Sequence, residues 1–294
     1  MAKVEVRPAR PEDKAAVLAF CEHTWEDHDD YIADVWDEWL ADPNSRLFVA
    51  LVDGKPAAID RVAILSDHEG WWEGLRVDPA YRRQGLVSKM RPYLQQYIRD
   101  SGITVSRMVT SSRNTIVRNM AGRRGMTRLG RYALYEAEPL DEPVRRVEPL
   151  ATDDVPTIQR FLNSSDVFQW VHRLFVSRGW AWQELTDQVL TTRAAEGRLW
   201  GIADDEGLAG LAVLSTPEGD EEALWIGYAD GAPEFLPEVL MELRRLAHNQ
   251  HRPFVGGHFP TLPRVFEALE MAGYARAREA EMWVYEVPVS QMRL

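Results

Sequence analysis

The sequence is short of cysteine, of positive charge and of long apolar runs, and each shortage excludes a class of protein. Cys21 is the only cysteine among 294 residues, so one chain forms no internal disulfide and builds no thiolate metal cage. Lys and Arg number 34 against 46 Asp and Glu, a net charge of -12 that disfavours nucleic acid and anionic membranes. No apolar run is long enough for a transmembrane helix or a signal peptide. The composition therefore predicts a cytoplasmic globular protein with neither a nucleic-acid nor a membrane partner.

The chain also lacks the residue spacing of a metal site. Cys21 and His23 would point to different faces of a helix, and adding His28 gives no standard zinc pattern. No metal ion is predicted.

What is present is an internal repeat, which sets the predicted fold. Residues 8–20, near the start of the first half, resemble residues 149–161, near the start of the second half. The matching pairs are Pro8 and Pro149, Glu12 and Asp153, Asp13 and Asp154, Val17 and Ile158, and Phe20 and Phe161. In both halves a short valine-containing strand comes first, at 4–7 and 144–147, and a strand pair around a turn follows, at 48–65 and 200–214. Strand-like runs at 126–136 and 274–286 end the halves. Alternating helices and strands predict an α/β fold with a mixed sheet in two tandem domains, 1–140 and 144–294, joined by a proline-marked linker.

A short basic loop between a strand and a helix is the most specific local signal. An extended run ends at Val77, Asp78-Pro79 breaks it, and the segment Arg82-Arg83-Gln84-Gly85 precedes a helical pattern. Such a loop directs backbone N–H groups inward, and the helix that follows adds unpaired donors and the positive end of its dipole. The pattern is typical of a diphosphate site, although a plain strand-to-helix turn with a solvated basic face has a similar sequence.

Two spaced motifs resemble those of the GNAT acetyltransferases. Residues 82–87 resemble the family's motif A, Q/R-x-x-G-x-G/A, and Asn114 precedes Gly125-Met126 with the spacing of the family's N-x₁₀-G-F pattern. The resemblance implies acetyl-CoA, or another acyl-CoA, as donor. It assigns cofactor binding to Leu75, Val77, Arg82, Arg83, Gln84, Gly85, Leu86, Val87, Ser88 and Asn114.

The resemblance also implies a general base near the fourth strand. Period-two alternation places Trp71, Glu73, Leu75 and Val77 on one face, where Glu73 is the only ionisable group. Glu73 is the predicted catalytic base; the alternative is a structural Glu that pairs with an arginine such as Arg76 or Arg107.

Two positions depart from the family pattern. Ala121 stands where the family usually has a Tyr general acid, and Val87 stands where motif A usually has Gly or Ala. Tyr132 and Tyr135 are candidate acids only by their nearness in sequence.

Acidic residues are concentrated where the resemblance implies the acceptor side. Nine carboxylates and no Lys or Arg lie between Cys21 and Ser45, while the segment 101–135 carries seven Arg and no acid. Trp25, Asp30 and Tyr31 are the predicted substrate contacts, for a small-molecule amine that is cationic or aromatic. The alternative is an amphipathic helix with Ile32, Val35, Trp36 and Trp39 as its core stripe.

The second half lacks the diphosphate signal. Its corresponding segment, 225–234, carries two carboxylates and no cation, and Leu262 occupies the Asn position. The second domain is therefore predicted to be noncatalytic. The protein as a whole is predicted to transfer acetyl groups to a primary amine of a small molecule or amino acid. Two alternatives are a CoA-binding sensor or scaffold with a decayed site, and a tandem GNAT that acylates a thiol conjugate or an antibiotic.

Overall fold

A computed structural model describes residues 3–22, 30–216 and 222–292 of the chain. Contacts divide these residues into two compact units that interleave along the sequence. The first unit contains Met1–Met108, Asn119–Thr127 and Tyr285–Leu294, and the second contains Val109–Arg118 and Arg128–Val284.

The first unit is built on a sheet with strand order β1-β2-β3-β4-β5. Neighbouring strands are antiparallel except β4 and β5, which are parallel. Asp53 and Gly54 both have positive φ, 49° and 82°, which confirms the tight turn predicted between β2 and β3. In chain order the elements are β1 (Val4–Pro8), α1 (Lys14–Cys21), α2 (Ile32–Ala41), β2 (Ser45–Val52), β3 (Lys55–Ile64), β4 (Glu69–Val77), α3 (Leu86–Asp100) and β5 (Val105–Ser111).

Helices α1 and α2 cover one face of this sheet with a continuous apolar cluster. Ile32, Val35, Trp36 and Trp39 are all buried, and they pack with Val17 of α1. The amphipathic-helix interpretation of this segment is confirmed, because its spacing of three and four residues turns the apolar side chains inward. Helix α3 contributes a second buried stripe of Met90, Leu94 and Ile98.

The second unit has strand order β6-β13-β12-β11-β10-β7, with β14 also paired to β6. Strands β12 and β13 are parallel and the other pairs are antiparallel, while β8 and β9 form a separate hairpin. The remaining elements are α4 (Thr115–Arg123), β6 (Thr127–Ala137), β7 (Glu148–Pro149), α5 (Val155–Ser164), α6 (Asp166–Trp170), β8 (Leu174–Arg178), β9 (Ala181–Glu184), α7 (Asp187–Ala195), β10 (Leu199–Asp204), β11 (Gly207–Leu214), β12 (Leu224–Gly231), α8 (Phe235–Asn249), β13 (Val255–Pro260), α9 (Pro263–Met271), β14 (Ala275–Arg276) and β15 (Met282–Pro288).

The repeat read from the sequence is present as a repeated architecture. In each unit an antiparallel hairpin, β2–β3 or β10–β11, leads to a strand, a fifteen-residue helix and a parallel strand. The fold is therefore α/β, with two tandem domains built on the same plan.

Two predicted strands differ from the structure. Residues 144–147 form no strand because the N–H groups of Arg145 and Arg146 donate to the buried Glu242 carboxylate, at 2.8 and 3.2 Å, instead of to a ladder. The run 274–286 is divided into β14 and β15. The guanidinium of Arg276 donates to the carbonyls of Arg278 and Glu279, at 3.0 and 2.9 Å, and so stabilises the break.

The interleaving involves the last elements of both halves. Strand β6, from the first half of the sequence, pairs with β13 from Tyr132↔Pro260 to Ala137↔Val255, within the second unit. In the first unit, Arg107 donates to Glu286 at 2.7 Å and the N–H of Val289 donates to the Thr104 carbonyl at 2.8 Å. The domain boundaries 1–140 and 144–294 follow the sequence repeat and stay a prediction.

Candidate active site

The basic loop between β4 and α3 has the backbone that a bound anion needs. Gly85 is the N-cap of α3 with φ 75°, and Arg83 before it also has positive φ, 63°. A Cβ at Gly85 would meet nothing within 4 Å, so the space in front of this turn is open. Arg82, Arg83 and Gln84 are exposed, while Leu86 turns its side chain into the core. The loop thus offers a helix N-terminus and two cations, which fit a diphosphate.

Strand β4 leaves its parallel neighbour just before this loop. The β4–β5 register runs from Glu69↔Val105 to Trp72↔Met108. In the described residues, the parallel register with β5 therefore covers only Glu69–Trp72 of β4.

A bulge in β4 changes which side chains share a face. Ile59 of β3 is opposite Arg76, but Arg61 is opposite Glu73, so β4 carries an extra residue at Gly74-Leu75. Gly74 has φ 73°, and a Cβ there would lie 2.5 Å from the Trp39 ring. The predicted alternation of Trp71, Glu73, Leu75 and Val77 is therefore wrong beyond Glu73.

After the bulge it is Arg76 that contacts the helix-covered face. Its guanidinium lies 5.1 Å from the centre of the Tyr31 ring, which contacts Trp39, and Trp39 in turn covers Arg61 beside Glu73. These contacts place Arg76 and Glu73 on one face, although they are three residues apart.

Glu73 is paired with a residue that the sequence analysis did not single out. Its Oε1 accepts a hydrogen bond from Arg61 Nη1, and Arg61 Nη2 donates to Asp42 Oδ2 at 2.6 Å. Two arginines were considered as partners of Glu73. Of these, Arg107 pairs with Glu69 and Glu286, and Arg76 pairs with Asp30. The Glu73 side chain keeps 13% exposure and so still reaches the surface of this face.

Of the predicted substrate residues, Asp30 and Tyr31 lie together beside Arg76. Asp30 accepts two hydrogen bonds from Arg76, at 2.6 and 2.9 Å, and is itself buried. Burial opposes the charge of Arg76, but the hydrogen bond that it donates to Asp30, together with nearby negative charge, raises the pKa of the guanidinium above its ordinary value. Tyr31 is exposed, and Trp25 lies outside the described residues.

The row of acids on this side is partly neutralised by ion pairs. Asp30 pairs with Arg76, Asp42 with Arg61, and Asp37 with Lys14 at 2.6 Å. Asp42, Arg61 and Glu73 together keep one negative charge. An attraction for a cationic ligand would depend on that local excess rather than on all nine carboxylates.

Cys21 is not a reactive thiol. It is buried on α1, and this burial raises its pKa to about 12, with a further contribution from the charge of Asp30. His23 and His28 lie outside the described residues, and within the described ranges no group of three or more His, Cys, Asp or Glu is placed to hold a metal. None of the helices described is both long and apolar enough to span a bilayer.

The remaining predicted residues fall in or near α4. Asn114 belongs to the second unit by its contacts, and its Oδ1 accepts from the Val117 N–H at 3.1 Å at the start of the helix. Ala121 is fully buried, and its methyl group cannot act as the acid that the family's Tyr supplies. Tyr132 and Tyr135 are buried residues of β6 in the second unit, and burial raises the pKa of Tyr135.

The corresponding loop of the second unit is built differently. Between β12 and α8 the N–H groups of Phe235 and Leu236 both donate to the Ala232 carbonyl, at 2.8 and 3.0 Å. Asp230 is buried at the end of β12, where it accepts from Tyr228 at 2.9 Å and from the Gly231 N–H at 2.8 Å. A cavity of about 460 Å³ opens here. Its lining includes five carboxylates, those of Asp166, Asp204, Glu206, Asp230 and Glu234.

Comparison with known families agrees with the geometry of the first unit. The sequence model of the acetyltransferase (GNAT) family matches residues 14–126, which include β4, the basic loop and α3. Residues 14–126 therefore form a GNAT-family domain. A comparison with curated protein sequences finds no match.

Solved structures extend the GNAT likeness over the whole chain. A GCN5-related N-acetyltransferase of Sphaerobacter thermophilus is similar with a TM-score of 0.67 at 13% identity, covering 97% of this chain and 96% of that one. A tandem GNAT protein from the clavulanic acid biosynthesis pathway gives 0.58 at 12% identity, covering 98% and 99%. A GNAT-family acetyltransferase of Colwellia psychrerythraea gives 0.53 at 12% identity, covering 97% and 99%. At these identities the likeness shows a shared tandem fold.

Proposed function

We propose that this GNAT protein is an acyl-CoA-dependent N-acetyltransferase with one CoA site, in the first unit. The observation that carries the proposal is the open, left-handed Gly85 turn that begins α3 behind two exposed arginines. Backbone N–H groups of the first turn of α3 would hold the diphosphate, and Arg82 and Arg83 would balance its charge. In the second unit five carboxylates, including those of Asp230 and Glu234, line the corresponding helix start against the positive charge of Arg264, and this negative excess would repel the diphosphate.

The acceptor is proposed to be a primary amine of a small molecule or amino acid. Acetyl-CoA supplies an acetyl group activated as a thioester. Glu73, on the face that carries Tyr31 and Trp39, would take the proton of the incoming ammonium, directly or through water. A backbone N–H group of β4 would donate to the carbonyl oxygen as negative charge develops on it. A thiolate is a tolerable leaving group without a dedicated acid, since thiols have a pKa of about 8.5. The cytoplasmic location also stays a prediction.

Calorimetry with CoA tests the cofactor site directly. We expect one equivalent bound per chain, and loss of that binding in Gly85→Asp, because a carboxylate in the turn repels the diphosphate. Gly207→Asp is a suitable control, since this glycine also has positive φ, 125°, and open space around it but lies in the second unit. Two equivalent sites, or unchanged binding by Gly85→Asp, would contradict the proposal.

The buried Ala121 favours one alternative, a CoA-binding sensor without catalysis. Incubating the wild-type protein with acetyl-CoA and a panel of amines, while measuring thiol release, separates the two functions. Binding without thiol release on any amine would favour the sensor.

A further inference from the structure

Arg61 is a fully buried cation between two carboxylates on the helix-covered face of the first unit's sheet. It has no exposed surface, and its guanidinium donates to Glu73 and to Asp42. The Trp39 ring covers it, with the guanidinium carbon 4.7 Å from the ring centre. Asp42 keeps 19% and Glu73 13% exposure, so the carboxylates reach the surface while the arginine does not.

This arrangement restricts Glu73 more than a surface ion pair would. A buried guanidinium is strongly destabilising without its carboxylates, so the pairing persists while the fold is intact. The bulge at Gly74 brings the Trp39 ring against the backbone next to Glu73, and this ring also prevents Arg61 from turning away. The guanidinium is planar and presents its N–H groups in a fixed fork, which sets the orientation of the carboxylate that accepts from it.

We infer that Arg61 is a positioning residue for Glu73. It holds the Glu73 carboxyl group as a carboxylate and directs it to the acceptor amine, while Asp42 balances the arginine so that the cluster keeps one negative charge for an ammonium. The inference rests on the proposed function, in which Glu73 accepts the proton of the amine.

Kinetics of Arg61→Gln and Arg61→Lys test the inference. In Arg61→Gln we expect kcat to fall by roughly tenfold to a hundredfold, with a smaller change in KM, because the base is misplaced while the binding contacts remain. The acidic limb of the rate profile should move to higher pH, since the carboxylate loses the cation beside it. Arg61→Lys keeps the charge without the fork and should restore part of the rate and of the profile.

A second measurement does not depend on turnover. Carbon-13 NMR of protein labelled at the Glu side-chain carboxyls, with the Glu73 signal assigned through Glu73→Gln, follows the protonation of this group. The titration midpoint of Glu73 should be higher in Arg61→Gln than in the wild-type protein. In Arg61→Lys it should lie between the wild-type and Arg61→Gln values. Should Arg61→Gln fail to fold, Arg61→Lys carries both measurements.

Arg107→Gln is the matched control. Arg107 is a buried arginine of the same unit that also pairs with two carboxylates, Glu69 and Glu286. Its loss should lower stability but leave the Glu73 midpoint and the shape of the rate profile unchanged. A shift as large in Arg107→Gln as in Arg61→Gln would overturn the inference, and so would a wild-type profile in both Arg61 variants.

Failure of this inference and of the proposed function can be distinguished. A wild-type protein that acetylates no amine contradicts the proposed function, while the NMR midpoint still reports whether Arg61 controls the protonation of Glu73. If Glu73→Gln abolishes turnover near neutral pH and both Arg61 variants behave as wild type, only the role of Arg61 is lost.

Discussion

Two adjacent residues of β3 are buried charged groups with different surroundings. Arg61 is held by Asp42 and Glu73. Asp60 is also buried, and this burial raises its pKa to about 7, although the charge of Arg124 acts in the opposite direction. Asp60 therefore takes up a proton within the physiological range, while its unfolded form has a pKa of about 3.9.

We expect Asp60 to make the fold less stable as pH rises. The pKa of Asp60 is higher in the folded than in the unfolded state, so the folded state binds more protons between about pH 4 and pH 7. In this range the free energy of unfolding therefore falls by up to about 1.4 kcal/mol for each unit of increasing pH. Asp60→Asn removes this term. Urea unfolding of both proteins from pH 4 to 8 should show the variant gaining relative stability as pH rises and levelling off above pH 7. A difference that does not change with pH would show that Asp60 does not titrate in this window.

The residues of the site differ in how far the sequence reveals them. Gly85 and its arginines were predictable because a left-handed turn and an anion require particular residues at fixed positions along the chain. Arg61 was not, because its role depends on Asp42, Glu73 and Trp39, which only the folded sheet brings together. Two adjacent charged residues, Asp60-Arg61, inside the otherwise apolar run 56–64 were the available signal.

At the scale of elements, the bulge in β4 determines which face each side chain occupies. A glycine inside a strand is a known sign of a bulge, and Gly74 carried that sign in the sequence. Period-two counting cannot include it, because one extra residue reverses the face of every later side chain. The elements themselves were largely predictable from hydrophobic spacing. The missing strand at 144–147 was not, because it depends on hydrogen bonds to the distant Glu242 carboxylate, and the break between β14 and β15 depends on hydrogen bonds that Arg276 donates to nearby carbonyls.

Gly74→Ala tests the packing at the bulge. The new methyl group would meet the Trp39 ring at 2.5 Å, in addition to the strain of a positive φ. Gly102→Ala has nearly the same φ, 75°, but no atom within 4 Å, so it measures the strain alone. We expect Gly74→Ala to lower the free energy of unfolding by about 1–3 kcal/mol more than Gly102→Ala does, measured by urea denaturation. Equal losses would show that Trp39 adjusts without cost.

At the scale of the whole molecule, each of the two units contains residues from both halves of the sequence, and the first unit contains residues from both ends. The sequence repeat predicted the architecture correctly, but it could not reveal which unit β6 and the last residues join. Both halves have strands of similar pattern, and pairing of β6 with β13 is decided by contacts far apart in the chain.

A fragment of residues 1–142 should therefore be poorly soluble or weakly active. It retains the proposed CoA loop and Glu73 but lacks β13, which leaves the β6 edge unpaired and prone to aggregate. It also lacks Glu286 and Val289, which contact Arg107 and Thr104. Expression of the fragment, followed by solubility, circular dichroism and CoA binding, tests this expectation. Full-length Glu286→Gln is the control for the ion pair alone, and a soluble fragment with full activity would contradict the prediction.

The position of Tyr285–Leu294 in the first unit also has a consequence for synthesis. A ribosome makes the basic loop, α3 and β5 long before it makes the residues that contribute the Glu286 carboxylate and the Val289 N–H. Domains whose residues are contiguous can fold as each one emerges. Here the first unit stays incomplete until residues 285–289 have been translated, so a nascent chain that stalls before them would expose an unfinished core to chaperones and proteases.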